Sequence, residues 1–249
     1  MPVILESIRD GLKTIKINRP ERKNALNSTA YRELTKILNK DATNDKIVVT
    51  ILTGIGDYFS SGNDLAPVMS EEIEVSLDCI ENMVKTIINY PKLLVCVVNG
   101  PAIGIGATLV TLCDVVYASD KAIFDLPFMK LGLVAEGCSS YNYPLILGRS
   151  VASEMIFFGR KLTAQEALKL GLVSRVIPHI ELPSFVDSLH QYGKLPVENV
   201  KRNKAVIMDN FRDVFLQINK REFKYIKEAV YSEDFAEAIA IFLSKKSKL

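Results

Sequence analysis

Glu136 is a carboxylate in a part of the sequence where a charge is unfavourable. It lies in the stretch LGLVAEGCSSY, between an apolar run and a cluster of small residues, and no lysine or arginine between Leu131 and Ile146 could pair with it locally. Burying an unpaired carboxylate is unfavourable or raises its pKa, and a carboxyl group of raised pKa can act as a general base. The alternative, favoured on this stretch alone, is that Gly137 and Cys138 open a helix whose dipole stabilises the carboxylate.

Two glycine-rich segments could bind a negatively charged oxygen. They are TGIGDYFSSGNDL, residues 53–65, and NGPAIGIGATL, residues 99–109, and each follows a run typical of a buried strand. Ligands in α/β folds usually bind at the carboxyl ends of strands, and glycines let backbone N–H groups approach a ligand closely. The second segment also leads into a predicted helix, whose N-terminus favours an anionic oxygen. Two such loops could aim one N–H each at the same oxygen and form an oxyanion hole.

Other uses of these glycines are less specific or fail. A dinucleotide fingerprint fails because Leu109 stands where a third glycine should follow Gly104 and Gly106. Neither segment contains the G-K-[ST] of a P-loop. A pair of ordinary tight turns is the remaining alternative.

The elements that must position these residues follow an α/β pattern. Asp10 and Gly11 separate two strand-like runs and predict a tight β-hairpin. A helix capped by Ser28 should follow, with an apolar face formed by Tyr31, Leu34, Ile37 and Leu38. The strand-like runs KIVVTILTG and LLVCVVNG then alternate with a helical pattern that extends from about Ser70 to Tyr90. Continuous apolar strands that alternate with helices predict a parallel sheet with both faces covered.

The later part of the chain reads as mostly helical. Thr163 and Glu166 form a capping box that opens a short helix. One side of the last helix must pack on the core or on another subunit, because it carries Phe235, Ile239 and Phe242. We predict a catalytic core in residues 1–194 and a helical region in residues 195–249.

Composition and charge limit the classes of function. The chain has 249 residues, 48% hydrophobic and 24% charged, which is typical of a soluble globular protein. A net charge of +2 is too small to predict a nucleic-acid or membrane-surface partner, although it could favour an anionic small molecule. No apolar run is long enough to predict a membrane span.

The cysteines and histidines do not form a recognisable site in the sequence. The four cysteines lie far apart with no histidine nearby, which predicts free buried thiols in a reducing compartment: Cys79, Cys96, Cys113 and Cys138. His179 and His190 fall in predicted surface segments, so a Ser-His-Asp triad has no support from spacing. We predict no metal site.

The last three residues, Ser247, Lys248 and Leu249, predict an intracellular address. A C-terminal S-K-L is read by the peroxisomal import receptor, and the neighbouring Lys245 and Lys246 suit an exposed tail. We predict localisation in the peroxisome; an ordinary polar terminus is the alternative.

Five segments, in this order and spacing, resemble the enoyl-CoA hydratase/isomerase family, the crotonases. They are NRPERKNAL, YFSSGNDL, VNGPAIGIGATL, PFMKLGLVAEGCSS and GRKLTAQEALKLGLVSRVI, and the resemblance extends over essentially the whole chain. It implies an α/β fold, a crotonase-like spiral of ββα repeats, with a helical C-terminal region that forms homotrimers. It also implies an acyl-CoA thioester as substrate, with no cofactor, since coenzyme A is part of the substrate.

The same resemblance implies roles for individual residues. The backbone N–H groups of Asn63 and Ile105 would hold the thioester oxygen. The acyl-CoA would be bound by residues of the two glycine loops and of the loop that begins at residue 22: Arg22, Lys23, Ala25, Leu26, Ser60, Ser61, Gly62, Asn63, Asp64, Leu65, Gly104 and Ile105.

The carboxylates distinguish the reactions of this family. Family hydratases carry two glutamates at positions held here by Thr108 and Phe128, and neither residue can deprotonate a water. Glu136 is the acidic residue that this sequence does have at a catalytic position of the family. It resembles the single glutamate of the Δ3,Δ2-enoyl-CoA isomerases of fatty acid β-oxidation. In those enzymes the glutamate removes a C2 proton, and the resulting dienolate is reprotonated at C4.

The resemblance changes the interpretation of Glu136 and leaves two rival functions open. With both glycine loops present, catalysis is favoured over a helix-terminal role for this carboxylate. Another crotonase chemistry on an acyl-CoA, such as thioester hydrolysis or decarboxylation, is one rival. A non-catalytic acyl-CoA-binding module is the other, although such a module would not need Glu136.

Overall fold

The computed structural model describes residues 2–65 and 73–246 of the chain. The predicted import signal, Ser247, Lys248 and Leu249, and the predicted start of the second helix lie outside the described residues. Within the described part, the strands are β1 Ile4–Arg9, β2 Leu12–Ile17, β3 Val49–Gly54, β4 Leu93–Val98, β5 Ala102–Ile103, β6 Val115–Ser119, β7 Ile123–Asp125, β8 Leu162–Thr163 and β9 Arg175–Ile177. The α-helices are α1 Ser28–Ala42, α2 Ile73–Asn89, α3 Ile105–Thr108, α4 Ser139–Leu147, α5 Arg149–Phe158, α6 Ala164–Lys169, α7 Leu182–Ser188, α8 Val197–Met208, α9 Arg212–Ala229 and α10 Glu233–Lys246.

The first two strands form the hairpin that the sequence predicts. β1 and β2 pair antiparallel, with Ile4 opposite Ile17. The turn residues Asp10 and Gly11 have φ of 51° and 78°, which is the left-handed conformation that a two-residue hairpin turn needs.

The main sheet is parallel after the hairpin and is covered on both faces. Its strand order is β1-β2-β3-β4-β6-β9. Leu52 of β3 packs into the larger core with α1 and α2, whereas Val49 and Ile51 pack into a smaller core closed by Leu182 of α7. Alternate residues of a strand point to opposite faces, so one apolar run fills both cores.

A second, smaller sheet consists of β5, β7 and β8. β5 follows β4 and β7 follows β6, so two strands of the main sheet are each succeeded by a strand of the small sheet. Ser60, which follows β3, joins this layer through a parallel bridge to Ala102 of β5. The chain thus repeats a long strand, a short strand and a helix, and the repeats wind as the predicted spiral.

The helix boundaries near the site differ in two places from the sequence prediction. α1 is capped by Asn27 rather than Ser28, because the Asn27 side chain accepts a hydrogen bond of 3.0 Å from the Ala30 N–H. The second glycine loop enters a helix of only four residues, α3, which continues as a 3-10 turn over Leu109–Leu112. The capping box of Thr163 and Glu166 at α6 is confirmed.

The C-terminal helices share the main core. Phe215, Ile218, Phe223 and Ile226 of α9 belong to the same cluster of buried side chains as the strands. In α10, Phe235 and Ile239 are buried, but Phe242 is 41% exposed. The boundary at residue 194 and the trimer stay predictions. The helices of the described ranges are all too short or too polar to cross a bilayer.

Candidate active site

The two glycine loops are joined to each other by backbone contacts. The Ile103 N–H donates a hydrogen bond of 2.9 Å to the Ser60 carbonyl oxygen. Gly62 has φ of 91°, and a Cβ at this position would lie 2.8 Å from the Ile103 carbonyl oxygen. A Cβ on Gly106 would lie 2.9 Å from the Ser60 carbonyl oxygen. Both glycines are therefore required by the close approach of the loops.

The loop that begins at residue 22 supports the first glycine loop and orients Asn63. Leu26 and Asn63 form a parallel bridge in which the Leu26 N–H donates to the Gly62 oxygen and the Asp64 N–H donates to the Leu26 oxygen, both at 2.8 Å. In parallel pairing the N–H of the residue between these two bonds points away from the partner strand. The Asn63 N–H is therefore directed away from Leu26.

The Asn63 and Ile105 N–H groups are the two predicted donors of the oxyanion hole. Within the described part of the chain neither has a hydrogen-bond acceptor, and the loops that carry them are in contact. The predicted helix dipole is a weak contribution, because α3 has only four residues. The donors would act through their position rather than through a macrodipole.

Glu136 lies beside Asn63. The Asn63 side-chain Nδ2 donates to Glu136 Oε1 at 3.1 Å, and Glu136 is only 6% exposed. Burial raises the pKa of Glu136 to about 7, the hydrogen bond from Asn63 opposes this rise, and the nearby Glu222 carboxylate adds to it. A carboxyl group with this pKa can both take up and return a proton near neutral pH.

The alternative role of Glu136 at a helix N-terminus is wrong, because another carboxylate occupies that place. α4 begins at Ser139, and Glu222 of α9 accepts hydrogen bonds from the Cys138 N–H at 2.7 Å and the Ser140 N–H at 2.9 Å. The Glu136 side chain is directed instead at Asn63. Its carboxylate is thus left available for chemistry.

Sequence reasoning missed two residues that surround Glu136. Glu222 interrupts the apolar side of α9, since its neighbours in the helix, Ile218, Phe223 and Ile226, are all buried. A carboxylate at an apolar helical position was the signal that could have revealed it. Tyr31 was assigned only to the apolar face of α1, yet its hydroxyl donates a hydrogen bond to the Asn63 side-chain oxygen.

The two positions of the hydratase glutamates are filled by core residues. Thr108 is fully buried and its hydroxyl donates to the Ile105 carbonyl oxygen at 3.3 Å, while Phe128 is also buried. Gly137 packs against Thr108, because a Cβ on this glycine would lie 2.5 Å from Thr108 Oγ1. Neither position offers a group that could activate a water.

Glu136 and Asn63 border an open cleft. Of the predicted substrate-binding residues, Leu26, Asp64 and Leu65 also line it. The rest of its wall is mostly apolar and comes from α1, α2, α9, α10 and adjoining loop residues, among them Tyr31, Leu77, Ile80, Leu133, Ile226, Val230 and Phe235. Such a cleft suits an apolar chain attached to a polar group.

The other predicted substrate-binding residues lie around the same loops. Arg22 and Lys23 are exposed, whereas Ala25 is buried, and Ser61 donates its N–H to the Lys23 oxygen at 2.9 Å. Asp64 forms an ion pair of 2.8 Å with Arg19. The structure thus brings the loop at residue 22 and the two glycine loops together, and their contact with acyl-CoA stays a prediction.

The remaining candidates form no second site in the described residues. His179 Nδ1 lies 3.0 Å from Ser119 Oγ, but Ser119 is fully buried, and Asp120 accepts from the His179 backbone N–H instead of orienting its ring. All four cysteines are free, and Cys79 and Cys113 are only half-buried. No three potential metal ligands of the described chain converge.

The sequence pattern of the enoyl-CoA hydratase/isomerase family matches residues 7–248. Enoyl-CoA delta isomerase 2 of Homo sapiens is 41% identical over 248 residues, which cover 96% of this chain and 63% of that protein. This chain therefore spans less than two thirds of the length of the human relative. The peroxisomal enoyl-CoA delta isomerase 3 of Mus musculus is 38% identical over 98% of this chain and 79% of that protein.

The fold is also that of solved relatives. The crystal structure of the enoyl-CoA hydratase/isomerase from Pseudoalteromonas atlantica T6c has a TM-score of 0.93 and 36% identity to this chain. The match covers 98% of this chain and 97% of that one. Sequence and fold agree over nearly the whole length, and the chain belongs to the enoyl-CoA hydratase/isomerase family.

Proposed function

We propose that this protein is a Δ3,Δ2-enoyl-CoA isomerase that converts a 3-enoyl-CoA into the trans-2-enoyl-CoA in fatty acid β-oxidation. The observation that carries the proposal is the buried carboxylate of Glu136, which accepts a hydrogen bond from the side chain of Asn63, the residue whose main-chain N–H is a proposed oxyanion donor. The names of the human and mouse relatives, both enoyl-CoA delta isomerases, support it.

The proposed reaction moves one proton within the substrate. Glu136 removes a proton from C2, and the electron pair of that C–H bond spreads through a dienolate onto the thioester oxygen. The N–H groups of Asn63 and Ile105 stabilise this oxyanion, and each donor is typically worth about 2.7 to 4 kcal/mol. Glu136 then returns the proton to C4, which moves the double bond into conjugation with the thioester.

The first prediction separates isomerisation from hydration. With trans-3-hexenoyl-CoA we expect the absorbance of a conjugated thioester to appear, whereas crotonyl-CoA should keep its absorbance. The reason is that Thr108 and Phe128 cannot hold and deprotonate a water. Hydration of crotonyl-CoA at a rate similar to isomerisation would overturn the assignment.

Two further measurements on the same substrate distinguish the rival functions. Release of free coenzyme A without the conjugated product would indicate thioester hydrolysis. Binding of the substrate, measured by calorimetry, with no change in product would indicate a non-catalytic acyl-CoA-binding module. Either result would contradict the proposed isomerase.

A second prediction concerns the dependence of the rate on pH. Only the ionised carboxylate can remove the C2 proton, and burial raises the pKa of Glu136 to about 7. We therefore expect kcat/KM to rise about tenfold per pH unit well below this pKa and to level off above it. If kcat/KM instead stays constant as the pH falls to the ordinary pKa range of a glutamate, the base is not a Glu136 carboxyl whose pKa is raised by burial.

A third prediction concerns localisation. We propose import into peroxisomes, supported by the S-K-L tripeptide of Ser247, Lys248 and Leu249 and by the peroxisomal name of the mouse relative. A fluorescent protein fused before residue 1 should give punctate fluorescence that coincides with a peroxisomal marker. The same fusion without Leu249 should be diffuse. Identical patterns for the two fusions would exclude the import signal.

A further inference from the structure

We propose that the Tyr31 hydroxyl and the Asn63 side-chain amide form a buried relay that holds the Glu136 carboxylate in its working orientation. This inference rests on the proposed function, because the orientation matters only if Glu136 transfers a proton. Tyr31 and Asn63 are positioning residues in this scheme, since they act on the substrate through Glu136.

The relay is a chain of two hydrogen bonds that joins three segments of the protein. Tyr31 of α1 donates its hydroxyl proton to Asn63 Oδ1. Asn63 Nδ2 in turn lies 3.1 Å from Glu136 Oε1 and 3.5 Å from Glu136 Oε2. Tyr31 is 1% exposed and Glu136 6% exposed, so little water can replace either bond.

Tyr31 anchors the end of the amide that faces away from the carboxylate. An asparagine amide has a donor end and an acceptor end, and rotation by half a turn would place its oxygen against the ionised Glu136. Two acceptors in contact repel each other, so the carboxylate favours the orientation in which Nδ2 points at Glu136, and the Tyr31 hydroxyl donates to Oδ1 at the other end. The carboxylate is therefore held by a donor group that Tyr31 anchors from behind.

Asn63 is the one side chain of the described residues that donates a hydrogen bond to Glu136. Burial is the largest influence on the Glu136 carboxyl, and the Glu222 carboxylate on α9 acts in the same direction by disfavouring ionisation. Burial, Glu136, Asp64 and Cys79 of α2 together raise the pKa of Tyr31, which keeps its hydroxyl a neutral donor. The Asn63 amide is thus the group that favours the ionised base.

The relay also links the base to the oxyanion hole. The main chain of Asn63 is fixed by its pairing with Leu26, and the same residue supplies the proposed oxyanion donor. Its side chain sets the position of Glu136 relative to that donor. One residue would thereby fix the distance between the group that takes the C2 proton and the group that binds the thioester oxygen.

The test uses Tyr31→Phe, which removes only the hydroxyl, and Asn63→Ala, which removes the amide but keeps the backbone N–H. We expect kcat to fall by up to about 10²-fold with KM changed little, more in Asn63→Ala than in Tyr31→Phe. The pKa of the Glu136 carboxyl, followed without substrate by infrared difference spectroscopy and assigned with Glu136→Gln, should rise in both variants. The rising limb of the kcat/KM profile should move to higher pH by the same amount.

Tyr90→Phe is the matched control. Tyr90 is also 1% exposed, and its hydroxyl bonds to Thr50 Oγ1 at 2.8 Å, away from the site. This variant should keep the parental kcat and the parental pKa of Glu136. The proposal is overturned if Tyr31→Phe, folded as judged by circular dichroism, keeps either the parental kcat or the parental pKa. Should the parent protein not isomerise a 3-enoyl-CoA, the proposed function fails, and the carboxyl pKa alone then tests the relay.

Discussion

Replacement of Glu136 by glutamine is expected to remove the proposed isomerase activity while leaving the fold and the proposed binding of acyl-CoA intact. Glutamine keeps the size of the side chain and an oxygen that can accept the Asn63 hydrogen bond, but it cannot take up a proton. Removal of a general base typically costs about 10²- to 10⁴-fold in rate. The Thr108 and Phe128 positions offer no substitute carboxylate, so we expect a loss at or beyond the upper end of this range.

Two measurements on the same preparation test this prediction. Absorbance follows the turnover of trans-3-hexenoyl-CoA, and calorimetry measures the binding of a non-reactive saturated acyl-CoA. The control with the same chemical change is Glu198→Gln on the exposed surface of α8, which should retain the parental rate. If Glu136→Gln still isomerises within a few-fold of the parent, Glu136 is a structural carboxylate. The base would then have to be sought among other residues of the cleft.

Replacement of Gly62 by alanine should have the second largest effect. The added Cβ would lie 2.8 Å from the Ile103 carbonyl oxygen, closer than such atoms can approach, so the two glycine loops must move apart. The proposed oxyanion donors, the N–H groups of Asn63 and Ile105, could then no longer reach the same oxygen. Loss of one oxyanion donor typically costs about 10²- to 10³-fold in kcat.

Gly171→Ala is the matched control for this variant. Gly62 and Gly171 both have a positive φ, 91° and 84°, but nothing lies within 4 Å of a Cβ placed on Gly171. Both alanines should therefore lower the free energy of unfolding in urea by about 1–3 kcal/mol through backbone strain. Only Gly62→Ala should lose the rate as well. Equal kcat values in the two variants would mean that the close approach of the loops has no part in catalysis.

Much of the fold could be predicted because its signals are local. The φ > 0 positions of the first hairpin fall on Asp10 and Gly11, and the capping box falls on Thr163 and Glu166, each within a few neighbouring residues. The buried strands of the parallel sheet are continuous apolar runs, because both of their faces are covered. The cap of α1 was misplaced by one residue, since Asn27 and Ser28 are both good capping residues and only the backbone geometry distinguishes them.

By itself the sequence determined which residues could do chemistry. Glu136 is conspicuous as a carboxylate without a local partner, and the glycines of the two loops are conspicuous because backbone N–H groups need space to approach a ligand. The order and spacing of the five segments determined the family, which the matches over residues 7–248 confirm. Thr108 and Phe128 determined which catalytic groups are absent.

Only the tertiary structure decided what surrounds Glu136. The hydrogen bond from Asn63 spans 73 positions in the sequence, and the bond from the Cys138 N–H to Glu222 spans 84. Contacts between segments so distant leave no periodic pattern and no motif, because the residues become neighbours only when the strands and helices pack. The helix N-terminus beside Glu136 is therefore occupied by Glu222 of α9, and the carboxylate of Glu136 is turned towards Asn63 of the first glycine loop.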